Sequence, residues 1–320
     1  MYNRLKIISL SANIELAKEV AGLLGVKVTN SDLIHFADGE VLWQGSESFR
    51  GDNVYIIQST CAPVNERLME LLVCIDACKR ASARSITCIV PYFGYARQDR
   101  KAKPRQPITA KLVADMLTVA GADRVVCVDL HSLQLTGFFD IPVDNISALP
   151  LIHAYFKDRD PSTTVCVSPD HGGVVRTTKL AERLNCPIAI IDKRRPEPNK
   201  AEITAIVGDI EGKDCIIVDD IVDTAGTLCA AADKLIELGA KSVEAVISHG
   251  VLSRDAVKKI EASHLRKLVI TDSIPLPDVK KSTKIDVMTL APLLKETIAS
   301  LEEGRSLSDT FQSFEDKIVG

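Results

Sequence analysis

The sequence is poor in aromatic residues and carries no excess of positive charge. Phe, Trp and Tyr make up 4% of its 320 residues, which argues against a surface that stacks single-stranded bases. The 39 Lys and Arg residues are outnumbered by 43 Asp and Glu residues, which gives a net charge of −4. Because no overall positive field draws the chain to nucleic acid or to anionic lipid, neither is an expected partner.

Long apolar runs are also missing. No run approaches the roughly 18 residues of a membrane span, and the first residues lack the apolar core of a signal peptide. With 46% hydrophobic and 26% charged residues, the composition is that of an ordinary globular protein. We therefore expect a soluble, cytoplasmic protein whose length leaves room for two domains.

The cysteine pattern excludes several site types. The nine cysteines include no Cys-x-x-Cys pair, and Cys74 and Cys78 lie one helical turn apart with no further ligand nearby in sequence. Four others lie in short β-branched runs, where a thiol acts as a small buried hydrophobe: Cys88, Cys127, Cys166 and Cys215. Neither a disulfide nor a cysteine metal site is expected.

Common catalytic motifs are absent as well. The segment Gly208–Lys213 has one spacer too few for a P-loop and is followed by Asp214 rather than Ser or Thr, which excludes a conventional P-loop kinase. No H-E-x-x-H, G-x-S-x-G or G-x-G-x-x-G motif occurs, so zinc protease, serine hydrolase and dinucleotide-binding functions have no support.

Short apolar strands alternate with amphipathic helices along most of the chain. Continuous apolar runs of this kind are typical of parallel strands covered on both faces. The predicted strands are 54–57, 86–90, 125–128, 165–167, 188–191, 215–218, 243–247 and 268–270. The predicted helices are 65–80, 109–119, 175–184 and 227–238. This alternation predicts an α/β fold.

A weak internal repeat predicts two similar domains. Thr109–His131 aligns with Thr227–His249, and both segments read helix, Gly-Ala stop, strand and terminal His. Any two helix–turn–strand units have similar residue preferences, which could produce some of these identities. The two segments, however, stay aligned without a gap through the final His. We expect domains at 1–147 and 148–306, with a tail at 307–320 that packs back on the first domain.

The first copy of the repeat is longer between its strand and its helix. The added residues fall in Pro91–Pro107, a segment that contains five basic side chains: Arg97, Arg100, Lys101, Lys103 and Arg105. A basic loop beyond the carboxyl end of a parallel strand lies where α/β proteins bind their ligands.

The segment Cys215–Thr227 carries the sharpest signal of a binding site. A buried strand runs into Asp219 and Asp220, and then into Asp223-Thr224-Ala225-Gly226-Thr227, which opens a helix. Backbone N–H groups and hydroxyls at a helix N-terminus suit a phosphate, whereas the two carboxylates suit vicinal sugar hydroxyls. The alternative is that Asp223 or Thr227 only caps the helix. A cap explains one residue of the run, so we favour a site for a phosphorylated ribose.

This run resembles the ribose-phosphate loop of the type I phosphoribosyltransferase fold. Asp129–Asp144 resembles the signature of the ribose-phosphate pyrophosphokinase family, also called phosphoribosyl pyrophosphate synthetase. Further similar segments occur in the family's order over nearly the whole chain: Phe36–Glu40, Pro91–Arg100, Ser168–Gly173 and Ile191–Pro196. The resemblance implies two similar type I phosphoribosyltransferase-like domains, each a mainly parallel sheet flanked by helices. The first would face ATP, and the second would face ribose 5-phosphate.

The resemblance also implies a reaction. The anomeric hydroxyl of ribose 5-phosphate attacks the β-phosphorus of MgATP, AMP leaves, and a diphosphate is installed on the sugar. Such a transfer needs in-line positioning and positive charge on the transferred oxygens. By resemblance, Lys193 and Arg195 supply that charge from a mobile flap, whose sequence Pro196-Glu197-Pro198-Asn199 predicts a loop. By the same resemblance, Arg195 also contacts the sugar phosphate. A solvated basic turn is the alternative role for Lys193-Arg194-Arg195.

Further site residues follow from the resemblance alone. His131 and Asp170 would hold Mg²⁺, although Mg²⁺ prefers oxygen donors and His131 could act through a water. Asp170 could equally cap the helix that follows it. Two groups would bind the nucleotide, the second across a subunit boundary of a homohexamer: Phe36, Asp38, Gly39 and Glu40; Arg97, Gln98 and Asp99.

The chain departs from the family pattern at few positions. Pro104 stands where many relatives place Ser in a loop used for phosphate and ADP regulation, and the tail Ser306–Phe311 also diverges. Two rival functions remain at this point. One is a phosphoribosyltransferase, which consumes the diphosphate product, and the other is a catalytically silent subunit. The uninterrupted Lys193–Pro196 segment and the ATP-side motifs favour the active synthetase.

Overall fold

The computed structural model describes residues 4–197 and 200–319, without the side chains of residues 193–204. The chain forms two compact units and passes between them several times. The first comprises Met1–Ser147, Ser273–Pro275 and Leu290–Leu307. The second comprises Ala148–Asp272, Leu276–Thr289 and Ser308–Gly320.

The first unit is built on a five-stranded parallel sheet with the strand order β1-β4-β5-β6-β7. Its strands are β1 (Leu5–Ser9), β4 (Asn53–Ile57), β5 (Ser85–Val90), β6 (Arg124–Val128) and β7 (Val143–Ile146). A separate antiparallel hairpin consists of β2 (Ser31–His35) and β3 (Val41–Gly45). The helices are α1 (Ile14–Leu24), α2 (Val64–Arg80), α3 (Thr109–Ala120) and, from late in the chain, α8 (Ala291–Glu303).

The second unit is built on a seven-stranded sheet with the order β10-β9-β8-β11-β12-β13-β14, in which only the β9–β10 pair is antiparallel. Its strands are β8 (Thr164–Ser168), β9 (Ile188–Glu197), β10 (Lys200–Val207), β11 (Asp214–Val222), β12 (Ser242–Gly250), β13 (Lys267–Thr271) and β14 (Ile285–Met288). The helices are α4 (Leu149–Phe156), α5 (Val174–Leu184), α6 (Gly226–Glu237), α7 (Ala256–Ala262) and α9 (Leu307–Val319).

The central strands form because their residues are apolar on both faces. In β5, β6 and β8 nearly every residue is buried, as expected where helices cover both sides of a parallel sheet. The Gly-Ala stop of the repeat also works as predicted. Gly121, at φ 120°, follows the last residue of α3 and lets the chain turn into β6, a conformation that residues with a Cβ avoid.

These observations confirm the α/β fold class with two mainly parallel, helix-flanked sheets. Every predicted strand lies within an observed strand. None of the helices in the described ranges is long and apolar enough to span a membrane.

The chain reverses direction across the sheet in the second unit only. From β8 it moves outward to the neighbouring β9, and it then returns to place β11 on the other side of β8. In the first unit the strands are added in one direction from β1 to β7. Open α/β sheets bind ligands at the carboxyl ends of the strands where the order reverses, so the crevice between β8 and β11 is the favoured position.

The expected position of the tail is wrong. Residues 308–319 of helix α9 belong to the second unit, whereas 290–306, expected in the second domain, join the first. The reason is a buried charge pair, since Glu315 of α9 accepts hydrogen bonds from Arg183 Nε at 2.6 Å and Nη2 at 3.1 Å. His153 Nδ1 lies 2.8 Å from the same carboxylate.

The expected loop at 196–199 also needs correction. Pro196 and Glu197 continue strand β9, and Glu197 pairs with Lys200 of β10. Pro198 and Asn199 lie outside the described residues. The antiparallel partner explains the longer strand, because it satisfies backbone groups that would otherwise face solvent.

Candidate active site

Two carboxylates lie side by side near the carboxyl end of β11. Asp219 and Asp220 both face Arg176 from the first turn of α5, whose Nη1 lies 2.7 Å from Asp220 Oδ1 and 3.7 Å from Asp219 Oδ1. The Asp220 side chain is 7% exposed and the Asp219 side chain 32% exposed. Asp219 is therefore the carboxylate that a ligand can reach, and Asp220 is held beneath it by Arg176.

The environment of Asp219 changes its acidity. Burial, followed by the adjacent Asp220 carboxyl, raises the pKa of Asp219 to about 7, against the attraction of Arg176. A carboxyl with such a pKa is only partly ionised near neutral pH and gains from a hydroxyl or cation that stabilises its charged form. Perturbed groups of this kind are frequent at functional sites.

The loop after β11 is held by Ser253, a residue that follows strand β12. Asp223 accepts a hydrogen bond from Ser253 Oγ, and the Ser253 N–H donates to the Asp223 carbonyl at 3.0 Å. Ala225 then adopts a left-handed conformation at φ 58°, which costs an L-residue about 1–2 kcal/mol. Thr224, Gly226 and Thr227 are exposed.

Helix α6 begins without a side-chain cap. Its N-cap is Ala225, and its backbone bonding begins where Cys229 N–H donates to the Ala225 carbonyl at 2.9 Å. The alternative that Asp223 or Thr227 merely caps this helix is therefore wrong. Helical geometry leaves the first N–H groups of α6 without intrahelical partners, which makes this end suitable for an anion.

Asp170 follows β8 on the other side of the crevice. Its Oδ1 accepts a hydrogen bond from Gly173 N–H at 3.1 Å, so it caps the short 3₁₀ turn 171–173. Its carbonyl accepts from Ser168 Oγ at 2.7 Å. Asp170 therefore caps this turn and not helix α5, whose N-cap is Gly173 without a side-chain cap. One such bond uses only part of the acceptor capacity of a carboxylate.

Lys193 and Arg195 lie on the part of β9 that extends beyond β8. The pairing of β9 with β8 ends at Ile190, whereas its pairing with β10 continues past Lys193. The β9–β10 hairpin therefore projects past the carboxyl end of β8. The side chains of Lys193 and Arg195 lie outside the described part of the structure.

In the first unit the segment 129–144, which resembles the family signature, follows β6. Asp129 adopts φ 39°, an unusual conformation outside glycine, and its Oδ1 accepts a hydrogen bond from Ser147 Oγ at 2.9 Å. The Leu130 N–H donates to Asn145 Oδ1 at 2.9 Å. These contacts fix the chain immediately before His131, whose side chain is exposed.

The loop that carries Arg97–Asp99 contacts this segment. Asp99, which is 9% exposed, accepts a hydrogen bond from Gln134 Nε2 at 2.7 Å. Gln98 Oε1 accepts from Thr109 Oγ1 at 2.6 Å, and Arg97 is exposed. The structure thus brings Arg97–Asp99 and Asp129–Gln134 together at the carboxyl ends of β5 and β6.

The Phe36–Glu40 turn is carried by another sheet, at the tip of the β2–β3 hairpin. Phe36 N–H donates to the Glu40 carbonyl at 2.8 Å, Glu40 N–H donates to Asp38 Oδ1 at 3.1 Å, and Gly39 has φ 94°. Phe36 is 47% exposed, and Asp38, Gly39 and Glu40 are exposed too. A large exposed aromatic ring at a hairpin tip is available for stacking.

Sequence reasoning missed Arg176 and Ser253. Both bind aspartates of the Asp219–Thr227 segment but lie tens of residues from them in sequence. Only the adjacency of β8 and β11 brings the start of α5 to Asp220. The Gly172-Gly173 turn that opens this helix was the one local signal.

Comparison with known proteins gives these residues a family. Residues 5–121 match the N-terminal domain of ribose phosphate pyrophosphokinase, and residues 196–312 match the phosphoribosyl synthetase-associated domain. A ribose-phosphate pyrophosphokinase of Oceanobacillus iheyensis is 54% identical over 307 residues, covering 96% of this chain and 97% of that protein. The chain belongs to the ribose-phosphate pyrophosphokinase family.

Other members of the family extend the likeness. The ribose-phosphate pyrophosphokinase of Bacillus subtilis is 53% identical, over 96% of this chain and 97% of its own length. The crystal structure of phosphoribosylpyrophosphate synthetase from Mycobacterium smegmatis matches with a TM-score of 0.89 and 41% identity, over 94% of this chain and all of that one. The resemblance found from sequence is confirmed, and the protein is an enzyme of this family.

Proposed function

We propose that the protein transfers the β,γ-diphosphoryl group of MgATP to the anomeric hydroxyl of ribose 5-phosphate, giving phosphoribosyl diphosphate and AMP. The observation that carries this proposal is the Asp219–Thr227 segment. It offers an accessible carboxylate and an uncapped helix start at the one crevice where the strand order reverses.

The two ends of this segment would bind different parts of the sugar phosphate, its 5-phosphate and its vicinal hydroxyls. Backbone N–H groups and the hydroxyls of Thr224 and Thr227 suit the 5-phosphate, beside Ala225 and Gly226. A Cβ built on Gly226 would meet no atom within 4 Å, so the space in front of the helix is open. Asp219 accepts from the vicinal hydroxyls, while Asp220 and Asp223 are anchored by Arg176 and Ser253 and fix the loop.

Lys193 and Arg195 would stabilise the charge that is transferred. The hairpin carrying them projects past the strand ends that border the crevice. Their cationic groups are of the type that neutralises phosphoryl oxygens in flight, and Arg195 would also contact the sugar phosphate. Most of the catalysis is then positioning and electrostatics rather than covalent chemistry.

The donor set fits Mg²⁺. Asp170 offers a carboxylate with spare acceptor capacity, and the exposed His131 follows a chain segment fixed by Asp129 and Asn145. Mg²⁺ prefers oxygen ligands and keeps several waters, so few protein ligands are needed. When bound, the ion would neutralise charge on the ATP phosphates. Asp170 would hold it, and the resemblance alone implies His131 as a further ligand position.

The adenosine part of ATP would contact the first unit. Phe36 can stack on the base, and Asp38, Gly39 and Glu40 can bond its edge, since all four are exposed. Arg97, Gln98 and Asp99 would complete the pocket from a neighbouring subunit in a homohexamer. We also propose a cytoplasmic location, which the nine free cysteines support.

The test is the identity of the nucleotide product. Purified protein is incubated with ATP, ribose 5-phosphate and Mg²⁺, and with each substrate omitted in turn. We expect AMP, formed only when the sugar is present. Formation of ADP contradicts diphosphoryl transfer, and no consumption of ATP indicates a silent subunit. Failure with ATP but consumption of phosphoribosyl diphosphate with a nucleobase would identify a phosphoribosyltransferase.

A further inference from the structure

A histidine and two glutamates meet in the first unit, on elements that the proposed reaction does not use directly. His35 ends strand β2, and Glu66 and Glu70 lie one turn apart on α2. One nitrogen or oxygen atom from each of the three lies within 4.8 Å of the others. Among the described residues, this is the one group of three or more such side chains with that spacing.

Glu70 has an unsatisfied oxygen deep in the protein. Its residue surface is 0% exposed, and its Oε2 accepts hydrogen bonds from Ser11 Oγ and Gln58 Nε2, each at 2.6 Å. Within the described chain, its Oε1 has no hydrogen-bond partner. A buried charged oxygen without a partner is costly, and this one lies 3.4 Å from His35 Nε2.

The distance between His35 Nε2 and Glu70 Oε1, 3.4 Å, favours a shared cation over a direct hydrogen bond. Glu66 Oε1 lies 3.5 Å from the other ring nitrogen, Nδ1, so Glu66 joins an ion bound at Nε2 only if its side chain turns. Charge-assisted hydrogen bonds are shorter, at about 2.7–2.9 Å. Donors about 2.0–2.1 Å from a tetrahedral metal lie roughly 3.3–3.4 Å apart. The Glu66 side chain is 49% exposed and can turn towards the ion.

We propose that His35, Glu66 and Glu70 form a Zn²⁺ site, with water as the fourth ligand. One imidazole nitrogen with two carboxylates is a donor set that Zn²⁺ accepts, whereas Mg²⁺ favours oxygen and its own waters. The ion satisfies Glu70 Oε1 and links the β2–β3 hairpin to α2. It therefore fixes the base of the Phe36–Glu40 turn.

The test measures zinc bound per chain. The intact protein is freed of metal with a chelator, then equilibrated with Zn²⁺ in excess Mg²⁺, and its metal content is determined after gel filtration. We expect Glu66→Gln and His35→Gln to bind one Zn²⁺ fewer than the unaltered chain. Glu66→Gln alters an exposed side chain, so it should fold. Zn²⁺ should also raise the unfolding temperature of the unaltered chain more than that of either variant.

His264 provides a matched control. It is exposed and contacts one carboxylate, with Nδ1 2.8 Å from Asp233 Oδ1. His264→Gln should keep the full zinc content and the full thermal shift. Equal zinc content in the unaltered chain and Glu66→Gln would overturn the site, leaving His35 in contact with two carboxylates and no metal ion. Loss of zinc in His264→Gln to the same extent would also overturn it, because binding would then be non-specific.

Discussion

The two copies of the internal repeat have the same helix–strand arrangement and differ where their strands end. In the first copy, β6 stops at Val128, and His131 lies exposed three residues beyond it. In the second copy, β12 continues to Gly250, and the aligned His249 is buried within the strand, opposite Ile221. One histidine therefore lies at the surface, and its counterpart lies inside the sheet.

Strands β5 and β11, which precede the helices of the two copies, are also followed by different residues. When Cys88 of β5 is aligned with Cys215 of β11, the pair Asp219 and Asp220 falls on Tyr92 and Phe93, both buried in the first unit. The helix after β11 begins from Ala225 at φ 58°, whereas the helix after β5 begins from Ile108 at φ −110°. The two copies therefore share buried strands and differ in the residues that follow those strands.

The largest expected effect concerns the hairpin that only the second sheet carries. Lys193→Ala should reduce kcat by about 10²–10³-fold, with small changes in both KM values, because its charge acts on the diphosphoryl group in flight. Steady-state kinetics with each substrate varied measure this. Lys241→Ala, at an exposed side chain of the same unit, is the control. An unchanged kcat in Lys193→Ala would remove the residue from the mechanism.

Asp219→Ala tests the carboxylate that the first copy lacks. It should raise the KM for ribose 5-phosphate by about 10- to 100-fold, since one charge-assisted hydrogen bond contributes about 1.5–3 kcal/mol. The KM for ATP should change little. A raised KM for ATP with a normal KM for the sugar would contradict the assignment and place Asp219 on the nucleotide side.

The raised pKa of Asp219 gives a signed dependence of stability on pH. Because its pKa in the folded protein is about 7 against 3.8 ordinarily, this group lowers the free energy of unfolding as pH rises between those values. Asp219→Asn removes the effect, so its unfolding temperature should exceed that of the unaltered chain at pH 8 by about 2–4 °C. The difference should vanish near pH 4. An asparagine variant less stable at pH 8 would show that the carboxylate stabilises the fold.

The last prediction concerns helix α9, whose residues 308–319 the first unit does not contain. Hydrogen bonds from Arg183 and His153 outweigh burial and lower the pKa of Glu315. Glu315→Gln should therefore cost about 2 kcal/mol at neutral pH, an effect lost as pH falls below the ordinary pKa of a glutamate. Faster proteolysis of α9 than in Asp316→Asn, its exposed neighbour, would be the readout. Equal rates would show that the charge pair does not hold the helix.

The central elements could be predicted because their signal is local. Buried parallel strands such as β5 and β6 are continuous apolar runs, and Gly121 marks the end of α3 in the sequence itself. The Asp219–Thr227 segment was found for the same reason, since strand, carboxylates and helix start are contiguous.

Contacts between distant segments could not be predicted. The sequence of an amphipathic helix such as α9 does not indicate which surface the helix covers. The partners of Glu315 could not be predicted because they lie more than 130 residues away in the chain. In the sequence, Arg176 looks like an ordinary basic residue of a helix. Its contact with Asp220 follows only once β8 and β11 are known to be neighbours. Pro196 and Glu197 belong to a strand because β9 pairs with β10. The prolines of this segment predict a loop, so the pairing could not be inferred from the sequence.

Hydrogen–deuterium exchange with saturating ribose 5-phosphate tests the central claim most directly, because it reads both copies of the repeat in one experiment. We expect the sugar phosphate to slow exchange of the backbone amides of residues 223–228, at the start of α6. The aligned residues at the start of α3, 105–110, should be unaffected at every amide they carry (Pro107 has none). Protection at the start of α3, or at neither helix, would contradict binding of the sugar phosphate by the second copy.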